Sequence, residues 1–246
     1  MKTLKTLFIA LLLVAMAPVS AQDNVDEIID AYFENTGGAE AWANLEGVKM
    51  TATTSAQGMD IPLVIYQLRD GRQFIKYQFQ GQEIVAQSFD GETAWATNFM
   101  TMQAEKSDAE MTENIKKASV KSFPSPLFDY KKKGFTAELI GDETIDGTET
   151  FKVKLTMDPI TIDGVEESNV VFYFFEKEYL VPIATEVEIK MGPAKGQMVQ
   201  GPMSDYQEVD GLMFQFSTSM QGQSITINDI ELNPEIDEAM FAFPEE

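Results

Sequence analysis

The sequence contains no cysteine and no histidine. Without cysteine it can form no disulfide, offers no thiolate nucleophile, and has no thiol to carry the lipid of an anchored bacterial lipoprotein. Without histidine, the Ser-His-Asp and Cys-His triads, the usual zinc sites and imidazole acid–base chemistry are all excluded. Positive charge is scarce too: 18 Lys and Arg face 40 Asp and Glu, a net charge of −22. Such a surface repels the phosphates of nucleic acid and disfavours adsorption to anionic lipid. It serves instead to keep a chain with much apolar surface in solution, or to meet a basic partner.

Motifs for chemistry are missing as well. There is no G-x-S-x-G, no Walker loop and no G-x-G-x-x-G. The neighbouring carboxylates Glu166-Glu167, Asp142-Glu143 and Asp237-Glu238 fall at expected turns or termini and read as solvated surface. The acidic stretches DNVDEIID and DETIDGTE lack the spacing of an EF-hand loop. No catalytic residue, metal ligand or cofactor is expected.

Only one long apolar run occurs. MKTLKTLFIALLLVAMAPVSAQ has Lys2 and Lys5, apolar residues from Leu7 to Ala17, and Val19-Ser20-Ala21 ending in a small residue. This is the pattern of a secretory signal peptide, residues 1–21, cleaved after Ala21 and too short to span a bilayer. The expected product, residues 22–246, is a single exported domain, periplasmic, not membrane-integral and without a lipid anchor.

What the chain does have is turn punctuation and alternation. Asp-Gly occurs at 70–71, 90–91, 146–147, 163–164 and 210–211, a pairing suited to tight hairpin turns. Between and around these pairs lie strand-like segments at 61–69, 72–79, 82–89, 93–99, 135–140, 150–157, 169–175, 184–191, 197–207, 212–220 and 224–232. In FKVKLTM, Phe151, Val153, Leu155 and Met157 oppose Lys152, Lys154 and Thr156; in LMFQFSTSM, Leu212, Phe214 and Phe216 oppose Met213, Gln215 and Ser217. One apolar and one polar face per strand predicts a large antiparallel sheet bent around a core. The exception is VVFYFF at 170–175, whose two faces are both apolar and should both be covered. One face is expected to line a cavity, the other to lie under the N-terminal helix on the convex side.

Helices are few. DNVDEIIDAYFENTGG places Val25, Ile28, Ile29, Tyr32 and Phe33 on one face, with Asn24 and Glu27 in capping-box spacing and Gly37-Gly38 as the stop. AEAWANL reads as a short second helix. SDAEMTENIKKASV, with Ser107 and Glu110 as a capping box, carries Met111, Ile115 and Ala118 on a stripe and interrupts the strands. Its stripe should face the concave side of the sheet. The chain also holds 14 Met and 17 Phe, flexible and bulky apolar groups suited to an irregular apolar ligand.

Several stretches together resemble the periplasmic lipoprotein-carrier superfamily of LolA/LolB type, in the outer membrane lipoprotein-sorting branch. They are QLRDGRQFIKYQF; QSFDGETAWATN, with Ser88, Asp90, Gly91, Thr93, Trp95 and Asn98; FYFFEKEYLVPIATEVEI; SDYQEVDGLMFQFS; and NDIELNPEIDEAMFAFP. Their order along nearly all of residues 22–246 carries the resemblance more than any one of them. It implies a mainly β (α+β) fold, an incomplete antiparallel β-barrel plugged by central helices at 107–118 and 124–130. It also implies an apolar concavity that takes up the acyl chains of lipoproteins or other lipid cargo, passed from an inner-membrane donor complex to an outer-membrane acceptor. The candidate lining comprises Ile75, Tyr77, Phe79, Trp95, Met111, Ile115, Phe151, Val153, Leu155, Phe172, Phe174, Leu212, Phe214 and Phe216. In such carriers an arginine on an early strand holds the plug shut; Arg69 stands at the matching place, with Arg72 as its rival. The chain is more acidic than that family leads one to expect. Two other classes stay open: an envelope sensor binding lipidated or unfolded protein, and an enzyme acting on an apolar metabolite.

Overall fold

The computed structural model describes residues 24–56, 58–220 and 223–244. The expected signal peptide lies outside the described residues. Helix α1 (Val25–Asn35) and the short α2 (Ala39–Ala43) precede strand β1 (Gly47–Ala56). Four hairpin-linked strands follow: β2 (Met59–Leu68), β3 (Gln73–Phe79), β4 (Gln82–Phe89) and β5 (Ala94–Thr97), then the brief β6 (Ala104–Lys106). Helix α3 (Ala109–Ser122) and a run of turns lead to β7 (Thr136–Ile145), β8 (Thr148–Ile162), β9 (Val165–Glu176) and β10 (Pro182–Glu188). The chain closes with β11 (Met198–Pro202), β12 (Ser204–Val209), β13 (Leu212–Met220), β14 (Gln223–Leu232) and a 3-10 turn at 238–240.

The strands form a nine-stranded sheet, β12-β13-β14-β1-β2-β3-β4-β5-β6, and a five-stranded sheet, β11-β10-β9-β8-β7, with every ladder antiparallel. β11 and β12 are one stretch of chain interrupted only at Met203, whose N–H bonds Ile183 O at 2.8 Å. That stretch passes from one sheet into the other, so the two act as a single bent wall. The wall does not close, because β6 and β7 end it without pairing to each other. This is an incomplete barrel.

The turns follow from local chemistry. All five Asp-Gly pairs lie between ladder-paired strands, and at 146–147, 163–164 and 210–211 both residues have positive φ, as two-residue hairpins require. Asn24 caps α1, its side chain accepting from Asp26 N at 3.0 Å. The expected cap of α3 differs: Asp108, not Ser107, accepts from Met111 N, which frees Glu110 for another role. The expected second plug helix at 124–130 is absent. Pro124 and Pro126 hold this segment in consecutive turns, since proline removes helix donors and restricts the residue before it.

The main core fills the concave side. Ile28, Ile29, Tyr32 and Phe33 of α1 meet Val48 and Ala52 of β1, Val153 and Leu155 of β8, Tyr173 and Phe175 of β9, and Leu212, Phe214 and Phe216 of β13. α1 therefore sits inside the bend, not on the convex side as the sequence led us to expect. The Tyr32 and Phe175 rings lie edge-on at 5.9 Å, and those of Phe33 and Phe128 at 5.0 Å. α1 and the 123–135 turns thus plug the same concavity.

Candidate functional site

α3 spans the opening. Its Asn114 forms a two-way bridge with the backbone of Thr161 on β8, at 2.7 and 3.0 Å. One turn earlier, the two oxygens of Glu110 accept from the N–H groups of Asp163 and Gly164, at 2.9 and 2.7 Å, capping the β8–β9 hairpin. Lys121 pairs with Asp158, and Lys116 reaches Glu92 in the β4–β5 turn. At the other side, Gly71 lets the β2–β3 turn press against α3. A Cβ there would stand 2.7 Å from Val120 and 2.9 Å from the Ser119 hydroxyl, on a residue whose φ is +94°.

These tethers are polar, and the helix fully buries none of its own side chains. Met111 is 50 % exposed and Ile115 half-buried. Beneath them lies a cleft of about 420 Å³ between α3 and the inner face of β2, β3 and β4, and a smaller void of about 100 Å³ separates α3 from Met157 and Asn169. The apolar stripe of α3 looks onto open space rather than onto a packed core. Arg72 is the single ionisable side chain lining the larger cleft among the described residues.

The expected lining residues divide three ways. Met111 and Ile115 border the cleft directly. Ile75, Tyr77 and Phe79 share the inner face of β3 and are half-buried; Ile75 pairs with Ile65, which in turn pairs with Met50, packed against the main core. Phe151, Val153, Leu155, Leu212, Phe214 and Phe216 also face inward, but α1 and the turns already cover them. Three residues lie on the other face. Trp95 opposes Ser88, and both donate to the carbonyl of Phe241 at 2.9 Å, in an outer cluster of C-terminal residues with Phe74. The ladder places Phe172 opposite Lys154 and Phe174 opposite Lys152, away from the inward Val153 and Leu155. They are therefore outer-face residues, and Tyr173 and Phe175 take the inward positions. Among the described residues no helix covers that outer side. The Lys152 stem does, its ammonium 4.9 and 5.0 Å from the Phe172 and Phe174 ring centres and held by Glu143 and Glu186.

No protein-family model and no curated protein matches the chain in sequence. Solved structures match its shape. A DUF1329 family protein from Desulfovibrio piger superposes with a TM-score of 0.53 at 14 % identity, over 89 % of this chain and 98 % of its own. A putative outer membrane lipoprotein-sorting protein domain from Vibrio parahaemolyticus gives 0.51 at 13 % identity, over 87 % and 94 %. A LolA superfamily protein from Nitrosomonas europaea gives 0.50 at 11 %, over 88 % and 96 %. The fold is LolA-like. At such identities the likeness speaks for the fold alone.

Within this LolA-like frame, Arg69 opens the turn that follows β2. Its guanidinium donates to the carbonyls of Ala43 (2.7 Å) and Leu45 (2.8 Å), closing the C-terminal end of α2, and pairs with Glu46. It also lies 5.7 Å from the ring of Phe123, where α3 hands over to the turns. The arginine thus bonds α2 and touches the plug only through an aromatic face. Lys133 bonds the plug itself, donating to Phe123 O (3.2 Å) and Ser125 O (2.7 Å). Burial lowers its ammonium to about 8, opposed by Asp129 and reinforced by Arg69. Sequence reasoning singled out neither Lys133, Asn114 nor Glu110 for this role. Among the described residues no group of three or more His, Cys, Asp or Glu could hold a metal, and no helix is long and apolar enough to cross a membrane.

Proposed function

We propose that the protein is an exported carrier of the envelope. It takes the acyl chains of lipoproteins, or of similar lipids, beneath α3, and passes them from an inner-membrane donor to an outer-membrane acceptor. It works in the periplasm after cleavage behind Ala21 and performs no chemistry on its cargo. The single observation that carries this reading is a helix laid across the barrel opening with none of its side chains fully buried, above a cleft of about 420 Å³. A purely structural helix in that place would sink Met111 and Ile115 into the core. The similar Vibrio domain, described as a putative outer membrane lipoprotein-sorting protein, supports the same ligand class.

Magnitudes favour a cover that yields to cargo. Four hydrogen bonds hold α3 to the β8–β9 hairpin, at roughly 1 kcal/mol net each. A buried methylene contributes ~0.8 kcal/mol, so about five methylenes of an acyl chain offset the whole set. The open form gains its advantage only when cargo arrives.

The test is native mass spectrometry of protein taken from its own periplasm. We expect a chain beginning at Gln22 with stoichiometric acylated material bound. A bare chain that also fails to take up a palmitoyl-labelled dye would overturn the reading.

A further inference from the structure

In a concavity meant for hydrocarbon, three glutamines stand in a row. Gln67 on β2 pairs across the ladder with Gln73 on β3, and Gln87 on β4 lies diagonal to Gln73 as the partner of Ile75. All three line the cleft under α3. Direct partners of this kind have Cβ atoms about 5 Å apart and diagonal ones about 7–8 Å, so the amides form one short polar strip.

The other polar side chains around the cleft are already engaged. Asn114 is bridged to Thr161. Ser119 and Ser122 donate back to their own helix, to Lys116 O and Ala118 O. Arg72 is held by Asp70 and Glu238 and stacks on the Phe241 ring. Among the described residues no fully buried side-chain polar atom lacks a partner, yet the three glutamine amides bond no other described residue and remain reachable from the cleft.

We infer that this strip is a subsite for the uncharged, hydrogen-bonding junction of a diacyl ligand, the glyceryl ester linkage. The inference rests on the carrier reading and assigns the head end of its ligand. Each amide offers two donors to ester carbonyls and one acceptor to a hydroxyl or amide N–H. It offers no charge. A free fatty acid would bring a carboxylate into a cleft whose one cation is already paired, and would lose hydration without a counter-ion. The site should therefore prefer glyceryl esters to free acids of equal chain length. Two sources share this chemistry, a free diacylglycerol lipid and the diacylglyceryl group on a lipid-modified cysteine.

The experiment is displacement of diphenylhexatriene, a pure hydrocarbon probe, at pH 7.5. Competitors are dipalmitoylglycerol, a synthetic S-dipalmitoylglyceryl-cysteine peptide and 2-tetradecylhexadecanoic acid, a free acid that also carries two long chains. Proteins are the wild type and a variant carrying Gln67→Met, Gln73→Met and Gln87→Met, near-isosteric changes that remove only the amides. We expect the wild type to bind at least one glyceryl ligand about tenfold more tightly than the two-chain acid, as one or two net hydrogen bonds imply. In the variant that preference should fall below about threefold while probe binding is retained. The glyceryl ligand that loses more affinity identifies the source. Equal affinity for acid and esters in the wild type, or an undiminished preference in the variant, overturns the subsite and leaves the carrier intact. Failure of the wild type to bind the probe at all would sink the carrier reading, and the subsite with it. Should the triple variant melt lower than wild type, Gln73→Met alone, at the centre of the strip, serves in its place.

Discussion

Asn114→Ala isolates the tether of the cover. The side chain makes both hydrogen bonds of the Thr161 bridge, worth roughly 2 kcal/mol together. Alanine is the better helix former, so α3 itself should survive the change. Because α3 fully buries no side chain and its Ile115 is only half-buried, its apolar burial compensates only in part for the lost bridge. A bias weakened by ~2 kcal/mol raises the open population about thirtyfold. Amide hydrogen exchange reads this directly, since exchange of a locally opening segment tracks its open fraction. Amides of 109–122 should exchange ~10–30 times faster in the variant. Those of the core strands around Val153, Leu155 and Phe175 should keep their rates. Equal acceleration in the core would mean that α3 opens only with the whole fold, and unchanged rates in α3 would mean that the bridge does not hold it; either result refutes the reasoning.

Arg69→Leu should strand the carbonyls of Ala43 and Leu45 and lower the urea-derived stability by about 1–3 kcal/mol, with increased probe-dye binding if the Phe123 contact helps to seat the plug. Phe174→Ala should cost ~3–4 kcal/mol of stability, because the ring is fully buried, while leaving hydrocarbon-probe affinity unchanged, because it faces outward; a matching loss of binding would return it to the cavity. Lys133 carries a lowered folded pKa of about 8 against an ordinary 10.5, so the cost of keeping it charged is fully present below about pH 8 and is relieved as pH rises toward 10.5. Water still reaches the group, so the stability advantage of wild type over Lys133→Met should grow by only ~1 kcal/mol between pH 7 and 9.5, and urea titrations showing a pH-independent difference would contradict the assignment. Gly71→Ala should push the β2–β3 turn off Ser119 and Val120 and destabilise by about 1 kcal/mol or more, measured by thermal melting.

Local rules were legible where a residue's neighbours in sequence are also its neighbours in space. The Asp-Gly pairs mark turns because positive φ is a property of two residues, and α1 announces itself through Ile28, Ile29, Tyr32 and Phe33. β1 was missed although it lies at the heart of the nine-stranded sheet. Its inward residues Val48, Met50 and Ala52 alternate with Lys and Thr, and GVKMTATTSA is too small and polar to stand out beside the aromatic strands. The three glutamines were in plain view at 67, 73 and 87, but each reads as an ordinary polar position until the ladder brings them together.

Alternation along VVFYFF fixes that Val170, Phe172 and Phe174 share one face and Val171, Tyr173 and Phe175 the other. By itself the sequence could also determine a bent, mainly antiparallel β wall with a helix inserted before its second half. It could not determine which face is inside, because a strand with two apolar faces carries no sign and a one-residue change of register exchanges them. Pairing with β8 decided it, setting Lys152 and Lys154 beside Phe174 and Phe172. The same holds for Trp95, turned outward by its place opposite Ser88, and for α1, drawn into the concavity by the packing of distant strands. Whether a side chain meets core, cleft or water depends on partners as near as the adjacent hairpin strand, as for Phe174 and Lys152, or as distant as Phe241 is from Trp95, and only the three-dimensional packing brings them together.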